Sequence, residues 1–251
     1  MADSTQRFSA RAAAYALYRP SYPAAIAGLL ARECGLTPAS VVADIGSGTG
    51  LLTELFLGVG CTVIGVEPNA EMRRAGDRQL AGFPRFSSTE GRAEATGLPG
   101  RSVDFVSAGQ AFHWFDPGRA HDEFARILRP LGWLVLVWNE RAPADSGFQA
   151  AYDAIVKRYA PEINRIQEDK IAIVFGGRDW RLAAFPNEQR LDLAGLQGRL
   201  SSSSYAPLAG TPKHQEMLRA LSAIFDQYQR DGAVTLLYQT LVYFGHLNDG
   251  Q

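Results

Sequence analysis

The sequence predicts an α/β fold, a mostly parallel sheet covered by helices on both faces. Three observations carry this expectation. Short apolar runs alternate with segments of helical periodicity through the first half of the chain. One such run, Val41 to Ile45, enters the glycine-rich turn Gly46-Ser47-Gly48-Thr49-Gly50, and a helical pattern leaves it. Trp133 to Asn139 is almost wholly apolar, as a strand buried on both faces should be.

Each element follows from local pattern. Ile26, Leu29 and Leu30 recur at helical spacing from Ala24 to Cys34, and Gly35 stops that helix. Helices are expected over Leu51 to Leu57, Asn69 to Leu80 and Arg119 to Leu128. Strands are expected over Thr62 to Glu67, Phe83 to Ser87, Val103 to Gly109 and Trp133 to Asn139. Beyond Asn139 the rhythm changes. Phe148 to Tyr159 and Gln215 to Gln229 read as helices, Arg190 to Leu193 as a short strand, and Val234 to Phe244 as a final strand.

Composition bounds the function. A chain of 251 residues with 46% hydrophobic and 20% charged residues can bury a sizeable core as one domain, with or without a cap. A net charge of -1 offers no field for nucleic acid or an acidic membrane. The two cysteines, Cys34 and Cys61, form neither a disulfide framework nor a zinc spacing, which fits a reducing compartment. Met1 to Tyr15 carries Asp3, Arg7 and Arg11 and does not read as a secretory leader. The longest apolar run, Trp133 to Trp138, is too short to span a bilayer. A cytoplasmic location and a small-molecule substrate are the expectations.

The chemistry concentrates at the glycine-rich turn. Glycines let a chain turn tightly and let a ligand touch the main chain, and the following helix N-terminus offers free N–H groups. Glu67 ends the second strand, where a carboxylate can accept hydrogen bonds from the two hydroxyls of a ribose. That suits any adenosine cofactor. The dinucleotide pattern G-x-G-x-x-G/A requires a small residue where Leu51 stands, so a nicotinamide oxidoreductase is disfavoured but stays an alternative. Asp44, just before the turn, would sit poorly beside a pyrophosphate and suits a ligand with an amino group, such as the methionine part of S-adenosylmethionine. A non-catalytic adenosine-binding protein is the other alternative.

With these residues the chain resembles the class I S-adenosylmethionine-dependent methyltransferases, in the group with the type-11 domain. The resemblance runs from about Phe8 to Arg141 and rests on Asp44 to Gly50, Val66 to Met72, Ala93 to Pro99 and Gln110 to Phe115. The last block, with Leu128 to Gly132 and Val137 to Asn139, is similar to trans-aconitate methyltransferase-like enzymes. The resemblance implies a Rossmann-like, seven-stranded sheet with an antiparallel last strand. It implies S-adenosylmethionine as cofactor and no metal. Gly46, Ser47 and Gly48 would pass under the cofactor, Glu67 would hold the ribose, and Met72, Ala93 and Glu94 would lie at the adenine. Gln110 and Ala111 would face the methionine moiety. Arg92 departs from the pattern, since many relatives carry an acid there that meets the adenine amino group.

These readings divide the chain into an arm and lid over 1–30, a cofactor-binding core over 31–141, a helical cap over 142–232 and a C-terminal strand over 233–251. Methyl transfer to the carboxylate or hydroxyl of a small acceptor is the expected reaction. His113 is either a general base titrating near the ordinary value of about 6.5 or a structural residue capping a loop. Arg19 is the candidate cation for an acidic acceptor. Tyr15, Tyr18 and Tyr22 either pin the arm or face the site as part of a lid. Trp114 reads as packing or as an aromatic wall beside a sulfonium, and Asn139 lies at the functional edge of the sheet or is simply a surface amide. Methylation of nucleic acid or protein is disfavoured, because no Asn/Asp-Pro-Pro-aromatic motif is present. Dispersed bases such as Lys170 read as a solvated face.

Overall fold

The computed structural model describes residues 17–159, 168–203 and 206–247. In chain order these form α1 (Ala25–Cys34), β1 (Val41–Ile45), α2 (Leu51–Val59), β2 (Thr62–Val66), α3 (Ala70–Gln79), β3 (Phe86–Thr89) and β4 (Val103–Gly109). A short 3-10 turn, Phe112–Trp114, leads to α4 (Pro117–Ile127) and β5 (Leu128–Arg141). Then follow α5 (Gly147–Tyr159), α6 (Glu168–Val174), β6 (Arg181–Leu191), α7 (Leu193–Ser201), α8 (Pro212–Tyr228) and β7 (Val234–His246).

The seven strands make one sheet in the order β3-β2-β1-β4-β5-β7-β6. β1 pairs in parallel with both β2 and β4, so the strand order reverses between β1 and β4, where ligands of such sheets bind. β7 runs antiparallel to both β5 and β6. This is the Rossmann-like, mostly parallel seven-stranded sheet with an antiparallel last strand that the resemblance implied; β7 lies between β5 and β6.

Two apolar clusters cover the two faces of the sheet. One holds Phe112, Phe124, Ile127 and Phe175; the other holds Ile26, Leu30, Phe56 and Leu80. A third joins α5, α7 and α8 to the first half of β7 through Tyr152, Leu196, Met217, Leu221 and Leu236. The burial pattern of β7 shows both regimes. Val234, Leu236, Tyr238 and Thr240 alternate with exposed residues, and Val242 to Gly245 are buried throughout. Among the described residues no helix is long and apolar enough to cross a membrane.

Several elements differ from the sequence expectation, the unanticipated α7 among them. The short strand placed at Arg190 to Leu193 is β6, which begins at Arg181; Asp192 then caps α7 by accepting from Gly195 N–H at 2.7 Å. β6 is an edge strand with one face exposed, so it lacks the apolar run that marks an interior strand. Pro186 is tolerated there for the same reason. α6 was not anticipated, because seven residues carry too little periodicity. β5 starts at Leu128 and bends where Leu131 takes a positive φ of 61°, near a register shift against β4.

One ion cluster pins the loop after β3 to α4. Glu123 accepts from Thr96 N–H at 2.8 Å and from Thr96 hydroxyl at 2.5 Å, and Arg126 completes the pair. The Arg126 hydrogen bonds hold the Glu123 carboxyl down to about 2, against a burial that opposes them. A depressed acid stabilises the fold above its unfolded value near 4.5, and the gain is lost as pH falls towards 2. Glu123→Gln is therefore expected to lower Tm at pH 7 and to flatten its pH dependence below 4.5, as scanning calorimetry across that range will show.

Candidate active site

A cavity opens at the carboxyl ends of β1, β2 and β4. Gly46 and Gly48 come from the turn after β1, and Glu67, Pro68, Asn69 and Met72 from the end of β2 and the start of α3. Arg92, Ala93 and Glu94 follow β3; Gly109, Gln110, Ala111, Trp114 and Phe115 follow β4.

The turn requires its glycines. Gly46 has φ +69°, and a Cβ there would lie 2.6 Å from the Ala111 Cβ. Gly48 has φ +58°, and a Cβ would lie 3.3 Å from the end of the Met72 side chain. Both conformations are strained for other residues. Gly46 N–H donates to the Val66 carbonyl at 2.8 Å, tying the turn to β2.

Glu67 joins the two walls of the cavity. Its carboxylate accepts from Gly48 N–H at 3.0 Å and from Asn69 N–H at 2.8 Å. Burial raises its pKa, and these backbone donors oppose the rise. Each oxygen keeps acceptor capacity toward the cavity. Asn69 caps α3 by accepting from Glu71 and Met72 N–H, both at 3.0 Å.

Asp44 and Ser47 do not line this cavity. Asp44 is buried, and its two oxygens accept from Thr53 hydroxyl at 2.6 Å and Ser107 hydroxyl at 3.0 Å. Burial pushes its carboxyl up to about 6, against both hydroxyl donors. The Ser47 side chain lies against Gly65 of β2. Glu94 lines the cavity while accepting from Asp116 N–H at 2.8 Å, at the cap of α4.

Beyond β4 the backbone is unusual. Gln110 has φ +54°, rare for a residue other than glycine. Its side-chain amide donates to the Asn139 carbonyl at 2.8 Å. Asn139 is buried rather than displayed at the surface; it accepts from Thr240 hydroxyl and from Asn187 Nδ2.

His113 stands behind the cavity wall. Its ring centroid is 4.6 Å from Trp114 and 5.1 Å from Trp138, and its Nδ1 is buried without a hydrogen-bond partner. Burial pushes its pKa down to about 3, and the charges of Arg19 and Lys170 push the same way. Of the two expectations for His113, this desolvation beside two tryptophans favours the structural residue over a base titrating near 6.5.

Of the arm, Tyr15 lies outside the described residues. Tyr22 hydroxyl sits over Gly109, where an added Cβ would be 2.6 Å away. The Tyr18 ring packs on Gly198 of α7, and Arg19 donates to the Ser202 carbonyl at 3.3 Å. The structure thus gathers Gly46, Gly48, Glu67, Met72, Ala93, Glu94, Gln110, Ala111 and Trp114 around one cavity. It adds Asn69, Gly109 and Phe115, which sequence reasoning missed. Asn69, directly before a helical pattern, carried a capping signal; Gly109 and Phe115 carried none beyond their neighbours.

Residues 43–136 match the family model described as a methyltransferase domain. An uncharacterized methyltransferase of Mycobacterium tuberculosis is 43% identical over 142 residues, 55% of this chain and 54% of that protein. The match thus spans about half the length of this relative. An uncharacterized methyltransferase-like protein of Schizosaccharomyces pombe is 29% identical over 243 residues, 94% of this chain and 93% of that protein. A protein assigned as a type II methyltransferase from Anaeromyxobacter dehalogenans shares the fold, with TM-score 0.68 and 24% identity over 92% of this chain and 99% of that one. Over residues 43–136 the chain is thus similar to a methyltransferase domain, on a fold that it shares with this solved structure. Within this region the glycine turn, Glu67 and the loop after β4 occupy the sheet edge at which the strand order reverses.

Asp44→Asn tests the buried carboxylate. An acid whose pKa is raised on folding loses stability as pH climbs from about 4 to about 6, and the deficit persists above. The neutral amide is expected to raise stability at pH 7 by up to about 3 kcal/mol and to flatten that slope, checked by urea unfolding at pH 4, 6 and 7.

Proposed function

We propose that the protein binds S-adenosylmethionine in this cavity and transfers its methyl group to the carboxylate of a small acceptor. The observation that carries the cofactor assignment is the glycine cradle facing Glu67. Side chains at Gly46 and Gly48 would fill the ligand's path, and the Glu67 oxygens retain acceptor capacity for two ribose hydroxyls. Met72 and Ala93, both buried and apolar, offer a slot for a flat base.

Bound there, S-adenosylmethionine supplies an electrophilic methyl carbon on a sulfonium, already an excellent leaving group. The chain's own work is orientation and exclusion of water. Trp114 and Phe115 line the cavity with aromatic surface, suited to a cationic centre. Gln110, held through Asn139, shapes the wall where the acceptor approaches. A carboxylate is ionised at neutral pH and needs no base, which agrees with a neutral His113 too weak to hold a proton. The positive charges of Arg19 and Lys170 near His113 favour an anion on that side.

Glu67→Ala is expected to weaken both S-adenosylmethionine and S-adenosylhomocysteine by about 1.5–3 kcal/mol per lost hydrogen bond at most, measured by calorimetry. Equal affinity in a folded variant would remove Glu67 from the ribose.

The acceptor reading is tested with acetate, succinate, fumarate, benzoate and hexanoate, alongside phenols, and with radiolabelled S-adenosylmethionine. Methylation of an acid is expected, with turnover level from pH 6 to 8. His113→Asn should keep turnover within about threefold, whereas loss of a true base costs roughly 10²–10⁴. Arg19→Gln should raise acceptor KM about tenfold with kcat little changed. Methylation of phenols alone, with a large loss in His113→Asn, would assign His113 as base instead.

A further inference from the structure

The covered face of β6 carries residues 183, 185, 187, 189 and 191, since alternate residues of a strand share a face. Ala183, Phe185 and Leu191 on that face are apolar and pack into the core clusters. Asn187 and Gln189 interrupt the series with amides. A polar group on a covered face is costly unless it finds a partner. Both have one, and both partners are backbone carbonyls of a single short segment.

Asn187 Nδ2 donates to the Ser21 carbonyl at 2.8 Å, and Gln189 Nε2 donates to the Tyr18 carbonyl at 3.0 Å. Asn139 Nδ2 adds a longer bond to Ser21 at 3.3 Å. The two gripped carbonyls bracket Arg19-Pro20. β6 runs parallel to β4 and β5 through its antiparallel pairing with β7, so its carboxyl end lies at the same sheet edge as the cavity. The amides are themselves braced: Asn187 Nδ2 also donates to Asn139 Oδ1 at 3.2 Å, and Tyr238 hydroxyl donates to Gln189 Oε1 at 3.5 Å.

We propose that Asn187 and Gln189 are positioning residues, whose amides clamp the chain on both sides of Arg19 and so hold its guanidinium, which donates to the Ser202 carbonyl, in position for an acidic acceptor. The inference rests on the reading of Arg19 as the contact for an acidic acceptor. It gives the distant edge strand a part in acceptor selection. Asn139 links the clamp to the cavity wall, its side-chain amide donating to the Ser21 carbonyl and its backbone carbonyl accepting from Gln110.

The test is the Asn187→Ala/Gln189→Ala pair, alone and combined with Arg19→Gln. Three readouts are taken: backbone hydrogen exchange at residues 18–22, KM and kcat on the methylated acids named above, and S-adenosylhomocysteine Kd. Exchange at Arg19, Ser21 and Tyr22 is expected to quicken about tenfold or more. Acceptor KM should rise about tenfold, with kcat within threefold and Kd within twofold. With Arg19→Gln already present, the alanine pair should add less than about twofold to KM, because one interaction cannot be lost twice. Unchanged exchange, unchanged KM, or full additivity with Arg19→Gln each overturns the clamp. If the alanine pair loses its cooperative unfolding transition, Asn187→Asp/Gln189→Glu, which keeps shape and removes the donors, is read in its place against the same thresholds. If the wild type methylates none of the acids, the acceptor reading falls by itself, and the exchange arm still decides whether the amides hold the segment.

Discussion

The site depends on one carboxylate shared between two backbone segments. Glu67 binds Gly48 N–H from the turn after β1 and Asn69 N–H from the start of α3. Without that bridge, the turn and the helix start would have buried donors and no common acceptor. The glycines make the turn sterically accessible, but the carboxylate sets its distance from α3 and leaves acceptor capacity facing the cavity. Burial raises the acid's pKa while the N–H groups oppose the rise, so the site is poised at the balance between desolvation and hydrogen bonding.

A second constraint acts on the other side of the cavity. Buried and half-buried amides and hydroxyls connect β4, β5, β7, β6 and the segment before α1 through Gln110, Asn139, Thr240, Asn187 and Ser21. Such a network is stable only when its members are satisfied together, which makes it specific in geometry. It also holds a strained residue, Gln110, at the wall of the cavity.

Desolvation also separates two groups that look reactive in isolation. Asp44 is an acid pushed up to about 6 and engaged by Thr53 and Ser107, so it braces β1 against α2 and β4. His113 is an imidazole pushed down to about 3 between aromatic rings. In both cases burial disfavours the charged form, and the sign of the shift differs only because one group is an acid and the other a base.

Sequence by itself determined the parallel core and its cradle, because those signals are local. A buried strand is an apolar run, a tight turn needs glycine at set positions, and a helix start needs a cap; β1, Gly46, Gly48 and Asn69 all carry their instructions within a few residues. The edge strand β6 was legible only at its last residues, since one face meets solvent and its pattern has no apolar excess. Tertiary structure alone decided that β7 inserts beside β5, that Asp44 turns inward, that His113 loses its ordinary titration, and that Asn187 and Gln189 meet Tyr18 and Ser21. Each of these depends on partners far away in sequence. Desolvation and hydrogen-bond pairing exist only once the chain has brought them together.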